Sequence, residues 1–249
     1  MMTKGALRPL GFAIVGLLLM LQACASPAPS ATACKGTTAE DHYECGYDYQ
    51  YELRDYPAAI REYSEALRLR PDYPYALNNR GLAYRRSHDP DAAILDFTAL
   101  IELHPQEIFA YNNRANAYLD KGDRQAAFSN LTKALEIDPT FADAYYGRSN
   151  LYDGAEKTEG ALHDLTEAIR FYGEAAAHPP SERVRSWFEN GRYGEASALN
   201  PKIREIDEYL ADAYYVRSRV YAEAGDMAKA NADLDEARRI DPTVVQRNH

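Results

Sequence analysis

Histidine, cysteine and carboxylate side chains could support catalysis or bind a metal ion, and their spacing in this sequence favours neither. The six histidines lie far apart, at positions 42, 88, 104, 163, 178 and 249. His163 precedes Asp164, but no nucleophile stands at a fixed spacing from this pair. The sequence contains no HExxH, GxSxG or glycine-rich phosphate loop, and its three cysteines lack metal-binding spacing. We therefore expect no enzymatic activity, no metal site and no cofactor.

A second polar pattern pairs arginine with a carboxylate or an amide. For each arginine at position i, an aspartate or an asparagine stands at position i+16. The pairs are Arg80 with Asp96, Arg114 with Asn130, Arg148 with Asp164, and Arg217 with Asp233. Three of the four pairs can form a salt bridge, and structural pairing is the preferred interpretation, with ligand binding as the alternative. If the pairs are exposed, each contributes only about 0–1 kcal/mol.

The arginines belong to a longer repeat that the prolines make visible. Pro71, Pro105 and Pro139 recur at a constant interval, at positions i, i+34 and i+68. Before each proline, a small residue, a large one and another small or apolar one recur at i, i+4 and i+7, which indicates one face of an α-helix. A second helical stripe precedes this one in each repeat, as in Tyr111, Ala115 and Tyr118. Proline ends each second helix because it lacks the N–H group. The sequence therefore predicts an all-α protein of helix hairpins.

Two helices per repeat with this period and this small/large order resemble the tetratricopeptide repeat (TPR). The resemblance implies a right-handed α-solenoid over residues 40–244, followed by a tail at 245–249. Six repeats are expected, at 40–73, 74–107, 108–141, 142–175, 176–210 and 211–244. The fifth is degenerate, because Pro179, Pro180 and Pro201 interrupt it. Few residues follow Pro242, so no additional helix is expected to cover the last repeat.

The TPR resemblance also indicates a peptide-binding groove. In that family the leading helix of each hairpin lines the concave surface, and asparagines there bind the backbone of an extended peptide, since an amide both donates and accepts. Lysines that would clamp a C-terminal carboxylate are absent from these positions. The alternative is that Asn-Asn-Arg is simply a common feature of this helix. By position, the candidates are Asn78, Asn79, Asn112, Asn113, Asn116 and Asn150, with Tyr75, Phe109 and Tyr146 beside them.

The N-terminus has the pattern of an export signal. Lys4 and Arg8 are followed by twelve residues without a polar side chain, too few to span a bilayer as a helix. The next residues, Leu21-Gln22-Ala23-Cys24, resemble the bacterial lipobox. The resemblance implies a signal peptide at 1–23, acylation of Cys24 (for example with palmitate) and a flexible tether at 24–39. Ser26 replaces the aspartate that retains many lipoproteins in the inner membrane, so the expected location is the periplasmic face of the outer membrane. Cleavage after Ala25, giving a soluble periplasmic or secreted protein, is the alternative.

Export would place the remaining cysteines in an oxidising compartment. Once Cys24 is acylated, Cys34 and Cys45 form an even pair. A disulfide between them would close a short loop and contribute about 3 kcal/mol in the chain-entropy model. Free buried thiols are the alternative.

Net charge narrows the range of partners. The chain carries a formal charge of −10, and removing the leader with its two cations leaves 26 − 38 = −12. This balance argues against nucleic acid and against broad adhesion to anionic lipid. Most of the 20 tyrosines are then expected to serve packing. We expect a membrane-anchored adaptor that binds envelope proteins or extended peptide segments. The alternative is an assembly protein that associates with itself, for example as a homodimer.

Overall fold

The computed structural model describes residues 36–152, 157–177 and 193–248, with side chains from Ile206 onward in the last range. Within these ranges the chain forms eleven helices and no strand, which confirms the all-α prediction. The helices are α1 (Ala39–Tyr51), α2 (Tyr56–Leu69), α3 (Pro74–Arg86), α4 (Pro90–Leu103), α5 (Ile108–Lys121), α6 (Arg124–Ile137), α7 (Ala142–Ser149), α8 (Lys157–Ala176), α9 (Tyr193–Glu223), α10 (Met227–Ile240) and α11 (Val244–Arg247).

Aspartate fixes the start of most second helices. A capping side chain that accepts a hydrogen bond from the backbone of the first turn typically stabilises a helix by about 0.5–2 kcal/mol. In α2, α4, α6 and α10 the carboxylate accepts from the N–H group three residues later. The capping residues are Asp55, Asp89, Asp123 and Asp226. Because this residue recurs with the repeat, the hairpins begin in register.

The apolar stripe predicted for the second helices forms the core. Tyr63, Phe97 and Leu131 are almost fully buried. Each follows a small residue of the same stripe, and the next stripe residue is alanine after Tyr63 and Leu131 but leucine after Phe97. The residue of the leading helix that faces each of these side chains is smaller where the buried side chain is larger. A Cβ atom at Gly81 would lie 2.7 Å from Cε1 of Phe97, a distance that packed atoms do not tolerate. Where the second helix carries the smaller Leu131, alanine occupies the equivalent leading-helix position, Ala115.

Each hairpin packs on the next one through its second helix, which contacts the leading helix that follows. The second helices α2, α4, α6 and α8 each pack against their own leading helix and against the leading helix that follows. Contacts also join α1 with α3 and α3 with α5. Because each of these second helices packs between its own leading helix and the next one, the leading helices lie on one side of the stack. We call the surface formed by α1, α3, α5, α7 and the part of α9 from Ile206 onward the leading-helix face.

The expected fifth repeat, 176–210, falls largely on residues that lie outside the described ranges or are described without their side chains, so it stays a prediction. Residues 178–192 lie outside the described ranges, and α9 runs without interruption from Tyr193 through Pro201 to Glu223. From Ile206 onward α9 packs directly on α8, where Ala213 contacts the cluster of Ala168 and Tyr172. The described residues thus stack as five hairpins, and α9–α10 follows α7–α8. Every leading helix after α1 carries a fully buried alanine, which lets the preceding second helix approach closely. These alanines are Ala76, Ala110, Ala144 and Ala213.

A short C-terminal helix covers part of the last hairpin, contrary to the expectation that this end is uncovered. Val244 is fully buried against Ala211, Tyr215 and Ala237. Arg247 forms salt bridges with Glu208, Asp212 and Asp241. A single turn of helix covers this part of the hairpin, because Val244 packs between α9 and α10 and Arg247 joins α9 to the end of α10.

Candidate functional site

The arginine pairs lie inside the stack and bind in the geometry that guanidinium prefers. Arg80, Arg148 and Arg217 each donate from Nε and Nη2 to the two oxygens of their aspartate, over 2.6 to 2.9 Å. Such bidentate pairs are stronger and more directional than single hydrogen bonds. Arg114 donates from Nε to Oδ1 of Asn130 over 2.8 Å. The structural pairing predicted from the constant spacing within each hairpin is confirmed.

A third partner, which the sequence analysis missed, joins each arginine to the preceding hairpin. Nη1 donates to a side-chain hydroxyl on the second helix of that hairpin, over 3.1 to 3.4 Å. The four hydroxyls are those of Ser64, Thr98, Thr132 and Thr166. They recur with the same period as the prolines, which was a usable signal in the sequence. The bond between Arg217 and Thr166 also establishes that the last hairpin follows α8 directly.

Burial changes how much each of these pairs contributes to the free energy of unfolding. The side chain of Asp164 is 0% exposed and that of Arg148 is 15% exposed. The pKa of Arg148 is raised by the hydrogen bond to Asp164, against the effect of burial. Burial raises the pKa of Asp96 and outweighs the opposite effect of Arg80. The value of about 0–1 kcal/mol holds for exposed pairs and does not apply here, because removing one member leaves the other charged and buried.

Three of the candidate asparagines bind one another across the leading helices. Asn79, which is fully buried, donates from Nδ2 to the hydroxyl of Tyr43 over 3.1 Å. Asn78 donates to Oδ1 of Asn79 over 3.2 Å, and Asn113 donates to Oδ1 of Asn78 over 2.9 Å. This chain of hydrogen bonds connects α1, α3 and α5. The amides of Asn78 and Asn79 therefore satisfy the polar interior of the protein itself.

Burial also removes two other candidates from the peptide-binding surface. Asn112 and Phe109 are buried, and the ring of Phe109 meets that of Phe141 edge to face at a centroid distance of 5.0 Å. The physical reason is the helical period: consecutive residues point about 100° apart, so in a pair of asparagines the two side chains take different environments. Asn78, Asn79, Asn112 and Phe109 are thus internal.

The remaining candidates are accessible on the leading-helix face. Asn113, Asn116, Tyr75 and Tyr146 are partly exposed, and Asn150 is exposed. Asn150 ends α7 and donates from Nδ2 to the carbonyl oxygen of Tyr146 over 3.2 Å. Burial of its ring raises the pKa of Tyr146 to about 12, so its hydroxyl is neutral at physiological pH. Peptide binding by these five residues stays a prediction.

Several expectations concern residues outside the described ranges. The signal peptide at 1–23, Cys24, most of the tether and Cys34 all lie there. Cys45 is disulfide-bonded, and its pairing with Cys34 stays a prediction. Within the described ranges no helix is both long and apolar enough to cross a bilayer. In the same ranges no three histidine, cysteine, aspartate or glutamate side chains are placed to hold a metal ion.

Comparisons with known proteins agree with this geometry. Family profiles described as TPR repeat and tetratricopeptide repeat match residues 48–87, 108–141 and 211–244. No curated protein sequence matches the chain significantly. A crystal structure of MamA protein is similar over 84% of this chain and 94% of its own, with 19% identity and a TM-score of 0.57.

Two further solved structures show the same likeness. For MamA of Desulfovibrio magneticus RS-1, the identity is 18%, the coverage 84% of this chain and 97% of that chain, and the TM-score 0.58. For a thermophilic TPR protein of Thermus thermophilus, the identity is 19%, the coverage 84% of this chain and 94% of that chain, and the TM-score 0.54. At these identities the likeness concerns the fold alone. The chain therefore contains tetratricopeptide repeats and folds as a TPR solenoid.

Proposed function

We propose that this chain is a non-catalytic scaffold that binds extended segments of envelope proteins on its leading-helix face. The observation that carries the proposal is the shared register of five stacked hairpins, which places five leading helices side by side. On that face Asn113 and Asn116 are partly exposed, one turn of α5 from each other. An amide pair at this spacing can bind backbone N–H and C=O groups of a peptide without reading its side chains.

The buried polar network supports this function by holding the face rigid. Each arginine is fixed by an aspartate or asparagine in its own hairpin and a hydroxyl in the preceding one. A face whose spacing is fixed before binding loses little conformational freedom when a partner binds, so more of the contact energy remains as affinity. The negative charge of the chain favours partners with basic segments, because opposite charge speeds encounter.

The membrane part of the proposal rests on the lipobox-like sequence around Cys24. An acylated cysteine and a flexible tether would hold the solenoid at the periplasmic face of the outer membrane and raise the local concentration of a captured partner. Membrane fractionation and the mass of the mature N-terminus test this part. We expect Cys24→Ala to release the protein into the soluble fraction. An unmodified mature chain that begins after Ala25 would instead identify a soluble periplasmic protein.

Crosslinking in the native envelope, followed by identification of the partners, tests the binding face. The test variant is Asn113→Ala combined with Asn116→Ala. It also removes the hydrogen bond that Asn113 donates to Oδ1 of the buried Asn78, so the Tm of the variant is measured together with its partners. The matched control is Asn231→Ala on α10, where the asparagine is exposed on a second helix. We expect the double variant to lose crosslinked partners and the control to retain them. An unchanged partner set in the double variant would contradict binding on this face.

Self-association is the other candidate function, and the structure gives it less support than the sequence did. The expectation depended on an uncovered last hairpin, whereas Val244 and Arg247 cover part of it. Light scattering over a range of protein concentrations separates the two proposals. A mass that rises with concentration to that of a dimer would restore this alternative.

A further inference from the structure

A polar cavity of about 620 Å³ lies at the turn of the second hairpin. Its walls include Tyr56 at the start of α2, Arg85 and Arg86 at the end of α3, His88 in the following turn and Asp120 near the end of α5. The volume is in the range of small-molecule sites. None of these residues belongs to the candidate set for peptide binding.

The backbone at His88 is in a conformation that favours glycine. Its φ is +60°, and the same turn position in the third and last hairpins is occupied by Gly122 and Gly225, with φ of +85° and +83°. In the first hairpin the position is held by Arg54, with φ of +54°. A side chain in this region typically costs of order 1–3 kcal/mol and persists where it serves a function or is over-determined by its surroundings. His88 thus lines the cavity from an exposed turn position whose backbone conformation favours glycine.

Two guanidinium groups give the cavity a positive character within an acidic chain. Arg85 donates from Nε to Oδ2 of Asp120 over 2.7 Å, which orients its side chain. Arg86 is exposed and forms no ion pair within the described part of the chain. The charged side chains of the lining, Arg85, Arg86 and Asp120, sum to one positive charge without counting His88, in a protein of net charge −10. Guanidinium groups that are positioned in this way suit the oxygens of carboxylate or phosphate.

We propose that this cavity binds the carboxylate or phosphate group of a small organic anion. Arg86 and the terminal nitrogens of Arg85 hold the anionic oxygens, and an N–H group of His88 donates to the same group. Asp120 acts as a positioning residue, because it orients Arg85 rather than touching the anion. The ring of Tyr56 contacts the remainder of the molecule. The inference is independent of peptide binding on the leading-helix face.

The test titrates the full chain with inorganic phosphate and, separately, with succinate, each against chloride at equal ionic strength. Binding is followed by the imidazole NMR signals of His88, with the other histidines as internal references. We expect a saturable shift at His88 in at least one of the two titrations, and the stronger of them identifies the phosphate or carboxylate chemistry. Shifts no larger than those caused by chloride in both titrations would overturn the proposal.

His88→Gly and Arg54→Gly form a matched pair of variants. Both relieve the same backbone strain, and the greater unfolded-state entropy of glycine offsets part of that gain, so a net stabilisation of about 1 kcal/mol should raise the Tm by about 2–4 °C. Only His88→Gly removes a group from the cavity, and we expect it to weaken anion binding about tenfold, now followed by calorimetry. Arg86→Ala should weaken binding similarly at an unchanged Tm. Undiminished affinity in His88→Gly and Arg86→Ala, or an equal loss in Arg54→Gly, would refute the proposed site.

Discussion

Replacing Arg148 with alanine should destabilise the solenoid far more than the removal of an arginine on its surface. Arg148 donates to both oxygens of Asp164 and to the hydroxyl of Thr132. The variant loses all three bonds and leaves the carboxylate of Asp164, which is 0% exposed, without its counter-ion. Breaking a buried pair in this way typically costs about 3–5 kcal/mol.

The expected Tm shift follows from the size of the chain. For a domain of this length, about 1 kcal/mol shifts the Tm by about 2–4 °C. Because the guanidinium of Arg148 retains 15% exposure, water can reach the vacated space, which favours the lower limit of about 3 kcal/mol and a shift of about 6–12 °C. Thermal unfolding followed by the helical circular-dichroism signal measures it.

Arg170→Ala is the matched control for this experiment. Arg170 lies on α8 and pairs with Glu167 and Glu174, but its side chain is about half exposed. We expect no measurable change in Tm for this variant. Combining Arg148→Ala with Asp164→Ala should recover part of the loss, because no buried charge is then left unpaired. A Tm shift in Arg148→Ala no larger than that in Arg170→Ala would refute the reasoning, as would a loss of partner binding without a change in Tm.

Three further predictions concern packing and pH. Gly81→Ala should destabilise the second hairpin by about 1–3 kcal/mol, because the new Cβ atom meets the ring of Phe97. Adding Phe97→Leu should restore part of this loss in thermal melts. Equal effects of Gly81→Ala with and without Phe97→Leu would contradict the matching of residue sizes between the two helices. Burial raises the pKa of Tyr146 from 10.0 to about 12, so its stabilising contribution is present below pH 10 and is lost as the pH rises from 10 to about 12. Tyr146→Phe should reduce this loss of stability at alkaline pH, as measured by denaturation midpoints at a series of pH values. Identical pH profiles for the variant and the wild type would contradict this prediction. Val244→Ala should lower stability to urea by about 1–3 kcal/mol, since Val244 is fully buried, and an unchanged midpoint would show that α11 does not cover the last hairpin.

The sequence predicted the hairpins well because the pattern is local and repeated. Prolines and small/large stripes depend on residues within one turn or one hairpin of each other, and they recur with the same spacing. The arginine pairs were predictable for the same reason, since a constant interval separates corresponding positions of the two helices in every hairpin. The hydroxyl partners were missed although Ser64, Thr98 and Thr132 share the period, because no single hairpin reveals a bond to its predecessor.

The binding candidates were predictable only in part. Helical spacing placed the asparagines on the leading helices, but it did not distinguish the buried Asn79 from the partly exposed Asn113. That distinction depends on which side of α3 or α5 faces the neighbouring leading helix. The same holds for Asn112, which is adjacent to Asn113 in sequence and buried in the stack.

By itself the sequence determined the paired helices of the regular hairpins, though not α11, together with their order and the composition of each interface between paired helices, because these follow from local periodicity and from proline. The tertiary structure alone decided which described hairpin stacks on which, so that Arg217 on α9 reaches Thr166 on α8, 51 positions earlier in the sequence. It also decided which polar groups are buried, and hence that the arginine pairs stabilise the interior. Both depend on contacts between hairpins, where the identity of the neighbour is set by the fit of whole helix surfaces and not by distance along the chain.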